Sequence, residues 1–192
     1  KEVTEEAVTV KFKVKSGQKI GDLAIPENTY LLAWTTTPWT LPGNVALAVG
    51  KDIDYMLMRV DSEVGSEHVV LSKEIYDRPQ TRTFFVGRII PGAKIGVITD
   101  NQVFKGAKLV GLKYEPLFDV PAIKSDKAFR VYTADFVNTE EGMGIVHTAV
   151  VYGEEDYELG LREGLPIVPL LDEKGRFNEK APKLIRGKIY CK

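Results

Sequence analysis

The sequence predicts a mainly β fold with a few α-helices. Three observations carry this expectation. Apolar runs are short and strand-length, Gly, Pro, Asp and Ser separate them at short intervals, and only two segments carry a helical pattern. The 192 residues are 44% hydrophobic, enough for one sizeable core, so a single domain over residues 1–192 is expected.

The elements follow in order. Val8, Val10, Phe12 and Val14 alternate with Thr9, Lys11 and Lys13, which is the period of a half-buried strand, and Ser16-Gly17 then turns the chain. Residues 29–34 (TYLLAW) are a continuous apolar strand that runs into three threonines. Residues 45–49 (VALAV), 54–60 (DYMLMRV) and 68–72 (HVVLS) are further strands. Residues 83–90 (TFFVGRII) are strand-like and end at Pro91-Gly92, and 129–134 (FRVYTA) form another strand. Residues 72–77 (SKEIYD) are a helix of a turn or two. Residues 154–164 (EEDYELGLREG) are the better helix: acidic residues suit its positive end, Leu159 and Leu161 supply apolar positions, and Gly164 can close it. Many short strands with few helices point to a barrel or a sandwich.

Charge narrows the function classes. The 26 basic and 27 acidic residues leave a formal net charge of −1. A domain that held nucleic acid through phosphates alone would be clearly basic, so any such contact is local or anchored elsewhere. The single cysteine, Cys191, excludes an internal disulfide and a Cys/His zinc cluster, and suits a reducing compartment. No run of about 18 apolar residues spans a membrane. The chain begins without Met and is expected to be a piece of a longer protein.

Two stretches carry the chemistry. Residues 34–44 read WTTTPWTLPGN. On pattern alone, threonines favour a strand end and Pro38 stops the strand. The functional alternative is that Pro38 and Pro42 stiffen a loop while Thr35, Thr36 and Thr37 line a pocket as neutral donors and acceptors. Residues 142–157 read GMGIVHTAVVYGEEDY, with Gly142 and Gly144 free to turn tightly. His147, one of two histidines, lies nine residues before Asp156 at the start of the predicted helix. A core histidine and a helix-favouring aspartate are the bland account; a paired site is the sharp one. Periodicity does not choose between them.

Together these stretches resemble the editing (CP1) domain of isoleucyl-tRNA synthetase. WTTTPWTLPGN is similar to its threonine-rich signature, and residues 142–166 to its second signature. Residues 106–118 (GAKLVGLKYEPLF) resemble a segment shared by the isoleucyl and valyl enzymes, and 8–14 and 170–177 also fit. Thr37, Trp39 and His147 follow the isoleucyl rather than the valyl or leucyl pattern. Met143 departs from a common threonine, and Tyr152 from a common histidine.

The resemblance implies a β-barrel-like core with peripheral helices, excised from a longer synthetase. Neither HIGH nor KMSKS occurs, so the ATP-binding synthetic domain is absent and no aminoacylation is expected. It implies hydrolysis of valine from mischarged Val-tRNA(Ile), and of valyl-adenylate, with no cofactor or metal in this domain. The tRNA 3′ end and the rest of the parent enzyme are the implied partners, in the cytoplasm and away from any membrane. Asp156 is carried over as the partner of the substrate ammonium, and His147 as a pocket residue near the ester. Thr35, Thr36 and Thr37 are carried over as the wall that binds ester and water. Trp39, Thr40 and Asn44 fall in the same signature, near the terminal adenosine, and Tyr152 is a further wall. No G-x-S-x-G elbow or other covalent nucleophile is present, so attack by a positioned water is expected. The alternative function is a non-catalytic module that binds or steers the tRNA 3′ end. Of the remaining features, His68 is expected to be a solvated or packed histidine and Tyr114 a core residue. Residues 183–192 (KLIRGKIYCK) are expected to be a solvated tail, or a tRNA backbone contact.

Overall fold

The computed structural model describes residues 7–62, 65–79, 102–140 and 142–190. Its strands are β1 (Val8–Lys13), β2 (Lys19–Ile20), β3 (Leu23–Ala24), β4 (Thr29–Thr35), β5 (Ala46–Val49), β6 (Asp54–Ser62), β7 (Gly65–Ser72), β8 (Gln102–Lys105), β9 (Arg130–Thr133) and β10 (Ile145–Thr148). Among the described residues, two α-helices accompany them, α1 (Lys73–Asp77) and α2 (Glu154–Glu163), with short 3-10 turns. The expected mainly β fold with few helices is observed. The strand expected at 83–90 lies outside the described residues.

Five strands form one sheet in the order β1-β4-β7-β6-β8, three form a second in the order β10-β5-β9, and β2 pairs with β3. The large sheet is antiparallel except for β4 on β7, and the smaller is antiparallel at β10–β5 and parallel at β5–β9. Among the described residues the sheets do not close into one continuous ring. They curl instead around a shared core. Phe12, Leu31, Tyr55, Leu57 and Val70 of the large sheet meet Leu47, Val49, Val131 and Ile145 of the small one. At about 1.5–3 kcal/mol for each fully buried Leu, Val, Ile or Phe, this cluster is the main source of stability.

β4 is buried on both faces, which is why it reads as an unbroken apolar run rather than an alternating one. Leu31 and Ala33 enter the central core, while Leu32 packs on the other side with Met56, Val69, Leu71 and Ile75 of α1. At its end, Thr35 pairs with Val8 of β1. Pro38, whose fixed φ suits a helical first turn, then opens a 3-10 turn over Pro38–Gly43. The proline-stiffened loop is therefore a helical turn. β10 lies against β5, with His147 opposite Leu47. Its entry needs a glycine: Gly144 has φ 71°, and a Cβ there would sit 2.5 Å from that of Ser72. α2 ends as expected, with Gly164 left-handed at φ 67° and its N–H bonded to the last carbonyls.

Candidate functional site

The threonine loop is held by its own hydroxyls. Thr35 Oγ1 accepts the Thr37 N–H at 3.0 Å and lies 3.2 Å from Thr37 Oγ1. The Thr37 carbonyl accepts both the N–H and the Oγ1–H of Thr40, at 2.9 and 2.7 Å. Local side-chain to backbone bonds of this kind compete with regular structure, which is why β4 stops here. Thr35 and Thr40 are buried, and Thr36 and Thr37 half-buried.

From Thr40 the chain of bonds runs inward. Thr40 Oγ1 lies 2.8 Å from His147 Nε2, and Asn44 Nδ2 lies 3.4 Å from His147 Nδ1. The Asn44 amide is oriented by its other bonds: Nδ2 donates to the Ala46 carbonyl at 2.9 Å, and Oδ1 accepts from the Tyr114 hydroxyl at 2.7 Å. Nδ1 of His147 is therefore the acceptor, and Nε2 carries the hydrogen that Thr40 receives. Burial holds the ring neutral, with its pKa pushed down to about 4. Both nitrogens are engaged and the ring is 6% exposed, so His147 has no free lone pair to take a proton from water.

Asp156 stands in the first turn of α2, where Oδ2 accepts the Ala149 N–H at 2.8 Å. Ala149 directly follows β10, so one segment carries His147 on its strand and Asp156's anchor just beyond. Burial pushes the Asp156 carboxyl up to about 6, opposed by the Ala149 bond and reinforced by nearby Glu155. The structure does not join His147 to Asp156; their partners differ.

A cavity of about 250 Å³ opens beside the end of β4. Trp34, Thr35, Thr36, Phe136, Asn138 and residues 142–146 line it. Met143, one of the lining residues, also packs with Leu32, Met56 and Leu71. Trp39 is set apart from this cavity in an aromatic cluster, edge-on to Tyr152 at 5.4 Å and tilted on Tyr190 at 4.5 Å. Tyr190 belongs to the segment read as a solvated tail; most of residues 183–189 are exposed, as that reading expects, yet the segment is anchored, because Ile189 pairs with Arg176 and Tyr190 packs on Trp39. An apolar ring next to the chain end was the signal available in sequence. Tyr114, read as core, is fully buried and also orients Asn44. Phe136 and Asn138 were missed, because no pattern links them to residues 34–44.

Comparison with known proteins adds a family to this geometry. No family model matches. The chain is 42% identical over 177 residues to the isoleucine–tRNA ligase of Clostridium novyi (strain NT), covering 92% of itself and 14% of that protein. It is 39% identical over 182 residues to that of Pyrococcus abyssi (strain GE5 / Orsay), covering 91% of itself and 15% of the relative. The chain is homologous to one segment of isoleucine–tRNA ligases. It spans about one-seventh of the length of the relatives it matches. Among solved structures it resembles GlLeuRS-CP1 at a TM-score of 0.55 and 14% identity, over 84% of this chain and 66% of that one. It also resembles the editing domain of the P. knowlesi cytosolic leucyl-tRNA synthetase at 0.51 and 15%, over 71% and 52%. These likenesses establish the fold of a synthetase editing domain. None of the described helices is long and apolar enough to cross a membrane.

Proposed function

We propose that the chain is the proofreading domain of an isoleucine–tRNA ligase, excised from the longer enzyme, and that it hydrolyses valine from Val-tRNA(Ile) and valyl-adenylate. One observation carries this reading. A cavity walled by Thr35, Thr36 and the 142–146 glycine loop lies at one end of β10, and a partly desolvated carboxylate is tied to the other end, on a chain homologous to these ligases.

The need for such a site follows from binding limits. Isoleucine and valine are themselves the standard worked example: one methylene is worth about 1–3 kcal/mol in an apolar pocket. A second pocket that admits valine and clashes with isoleucine discriminates by overpacking, which is steeper in a stiff wall.

In this reading the Asp156 carboxylate receives the α-ammonium of the substrate. A charge-assisted bond at a half-buried site fixes direction as well as position. Thr35, Thr36 and Thr37 hold the ester oxygens and the attacking water, and Trp39 and Tyr152 shape the surroundings of the terminal adenosine, while Asn44, buried with both ends of its amide engaged inside the protein, acts only by orienting His147. His147 acts as a neutral clamp that donates to Thr40 and so sets the threonine loop. Water adds to the ester carbonyl carbon, the bond to the ribose oxygen breaks, and that oxygen leaves with a proton. Rate comes from alignment and fixed dipoles, without a covalent intermediate. No metal or cofactor enters these steps.

Single-turnover hydrolysis of Val-tRNA(Ile) and Ile-tRNA(Ile) by the chain and by its parent tests the proposal. Valine is expected to be released and isoleucine retained. Equal release of both, or none from either protein, would refute it.

A further inference from the structure

A second cavity, of about 320 Å³, is lined by four cations, Lys15, Lys113, Lys124 and Arg130, against one carboxylate, Asp126. The chain as a whole has a net charge of −1, so this is a local concentration of positive charge. Lys124 is paired with Asp119 at 2.7 Å outside the cavity lining. The backbone places the other cations side by side. Lys113 and Arg130 are directly opposed in an antiparallel bridge, and the Lys15 N–H donates to the Lys113 carbonyl at 2.9 Å.

Like charges facing each other across strands destabilise a fold. Packing gives no reason for this placement; an anion between the cations does. The cavity floor is built rather than incidental. Arg130 Nε donates to the Asp126 carbonyl at 2.8 Å, and Ser125 Oγ accepts the Ala128 N–H at 3.1 Å. Phe129, a cavity wall, has φ 58°, a left-handed conformation that is sterically costly for an aromatic residue. It is held there by bonds to the Val45 carbonyl and from the Tyr114 N–H. Apolar walls at Pro116, Ala128 and Phe129 focus the field of the cations.

Position adds to this. Val8, at one end of β1, pairs with Thr35 of the threonine loop, while Lys15 lies past the other end. Seven residues at ~3.3 Å each put the two sites roughly 20 Å apart along the strand. A stacked nucleic-acid strand rises ~3.4 Å per nucleotide, so this distance is about six steps.

We propose that this pocket binds a backbone phosphate of RNA several nucleotides from the reacting 3′ end. The choice of RNA as occupant rests on the editing reading; the affinity for a phosphate rests on the pocket itself.

The test uses the full chain and a fluorescent RNA hairpin with a single-stranded 3′ extension, titrated over a salt series. Lys15→Ala, Lys113→Ala and Lys124→Ala are combined, since all three side chains are exposed. A control combines Lys51→Ala, Lys105→Ala and Lys180→Ala, which are also exposed and remove the same charge elsewhere. The pocket variant is expected to bind at least tenfold more weakly. The slope of log K against log salt should fall by about 0.7–0.9, the value for one phosphate on a single strand or a duplex. A loss no larger than the control's overturns the proposal. Calorimetry with inorganic phosphate forms a second arm: tight binding by the wild type that the pocket variant lacks, together with RNA binding that the variant keeps, assigns the site to a free anion and overturns the RNA assignment. Hydrolysis of valyl-adenosine, which carries no phosphate, should stay within twofold in the pocket variant. A wild-type chain inert toward valyl-adenosine and toward Val-tRNA(Ile) defeats the editing reading, while the RNA titration still decides whether the pocket holds phosphate.

Discussion

Replacing Asp156 by Asn is expected to stabilise the protein at neutral pH while abolishing valine release. The amide has the same shape, and its Oδ1 can still accept the Ala149 N–H that Asp156 Oδ2 holds at 2.8 Å. What changes is the cost of a desolvated charge. The carboxyl titrates at about 6 in the folded protein against 3.8 ordinarily. At 1.36 kcal/mol per pKa unit this corresponds to roughly 3 kcal/mol. Partial exposure of the side chain and the favourable N-terminus of α2, worth about 0.3–1 kcal/mol, reduce it, leaving roughly 1–2 kcal/mol. The sign follows from proton binding. In the native state Asp156 holds a proton more tightly than in the unfolded chain. Its contribution to stability is therefore full below pH 3.8 and is lost as pH rises through about 6. The Asn variant has no such loss. Calorimetry from pH 4 to 8 should find the two proteins nearly equal in Tm at the acid end. The variant should lie roughly 2–8 °C higher at neutral pH, at ~2–4 °C per kcal/mol for a domain of this size. A difference independent of pH, or a variant less stable at pH 7, would refute the desolvation argument. Wild-type valine release by a folded Asp156→Asn protein would remove Asp156 from the site.

Three further outcomes follow from the same geometry. Single-turnover valine release should decline as pH falls through about 6, where Asp156 is protonated, and His147→Gln should leave that midpoint in place; a midpoint that disappears with the histidine would make His147 the titrating base. Joint replacement of Thr35, Thr36 and Thr37 by Ala should abolish valine release with a modest drop in Tm, and normal turnover per folded molecule would leave the threonines as strand and loop filler. Tyr114→Phe removes the hydroxyl that Asn44 Oδ1 accepts and should cost about 1–3 kcal/mol by denaturant titration, with valine release lowered because Asn44, His147 and Thr40 lose their fixed orientation; an unchanged rate would confine Tyr114 to packing.

Strands β1, β4, β6 and β9 were legible from residue pattern because burial imposes a period. One buried face of β1 accounts for the alternation from Val10 to Val14, although Val8 is exposed, and two buried faces of β4 give the unbroken TYLLAW run. The ends of α2 were legible because helix caps are local: acids in the first turn and Gly164 beyond the last. The two-residue hairpin of β2 and β3 was not, since it is too short to show a period. Nor was the parallel pairing of β4 with β7, which depends on a long crossover rather than on neighbouring residues.

For the site, the residues of both signature stretches could be named from sequence, because side-chain chemistry is written there: neutral hydroxyls at Thr35 to Thr37, an aspartate among three acids at a helix start, and a histidine nine residues before it. How they act was a matter of tertiary contacts. Asn44 and Tyr114 lie 70 residues apart and His147 another 33 on, yet one buried chain of hydrogen bonds fixes the histidine's tautomer and uses both its nitrogens. The same holds for Asp156, whose titration near pH 6 depends on the shielding around α2 and on one backbone N–H from the end of β10. Desolvation and hydrogen-bond direction are properties of what surrounds a group in space. A one-dimensional sequence therefore specifies the groups and leaves their charge states and proton positions to the fold.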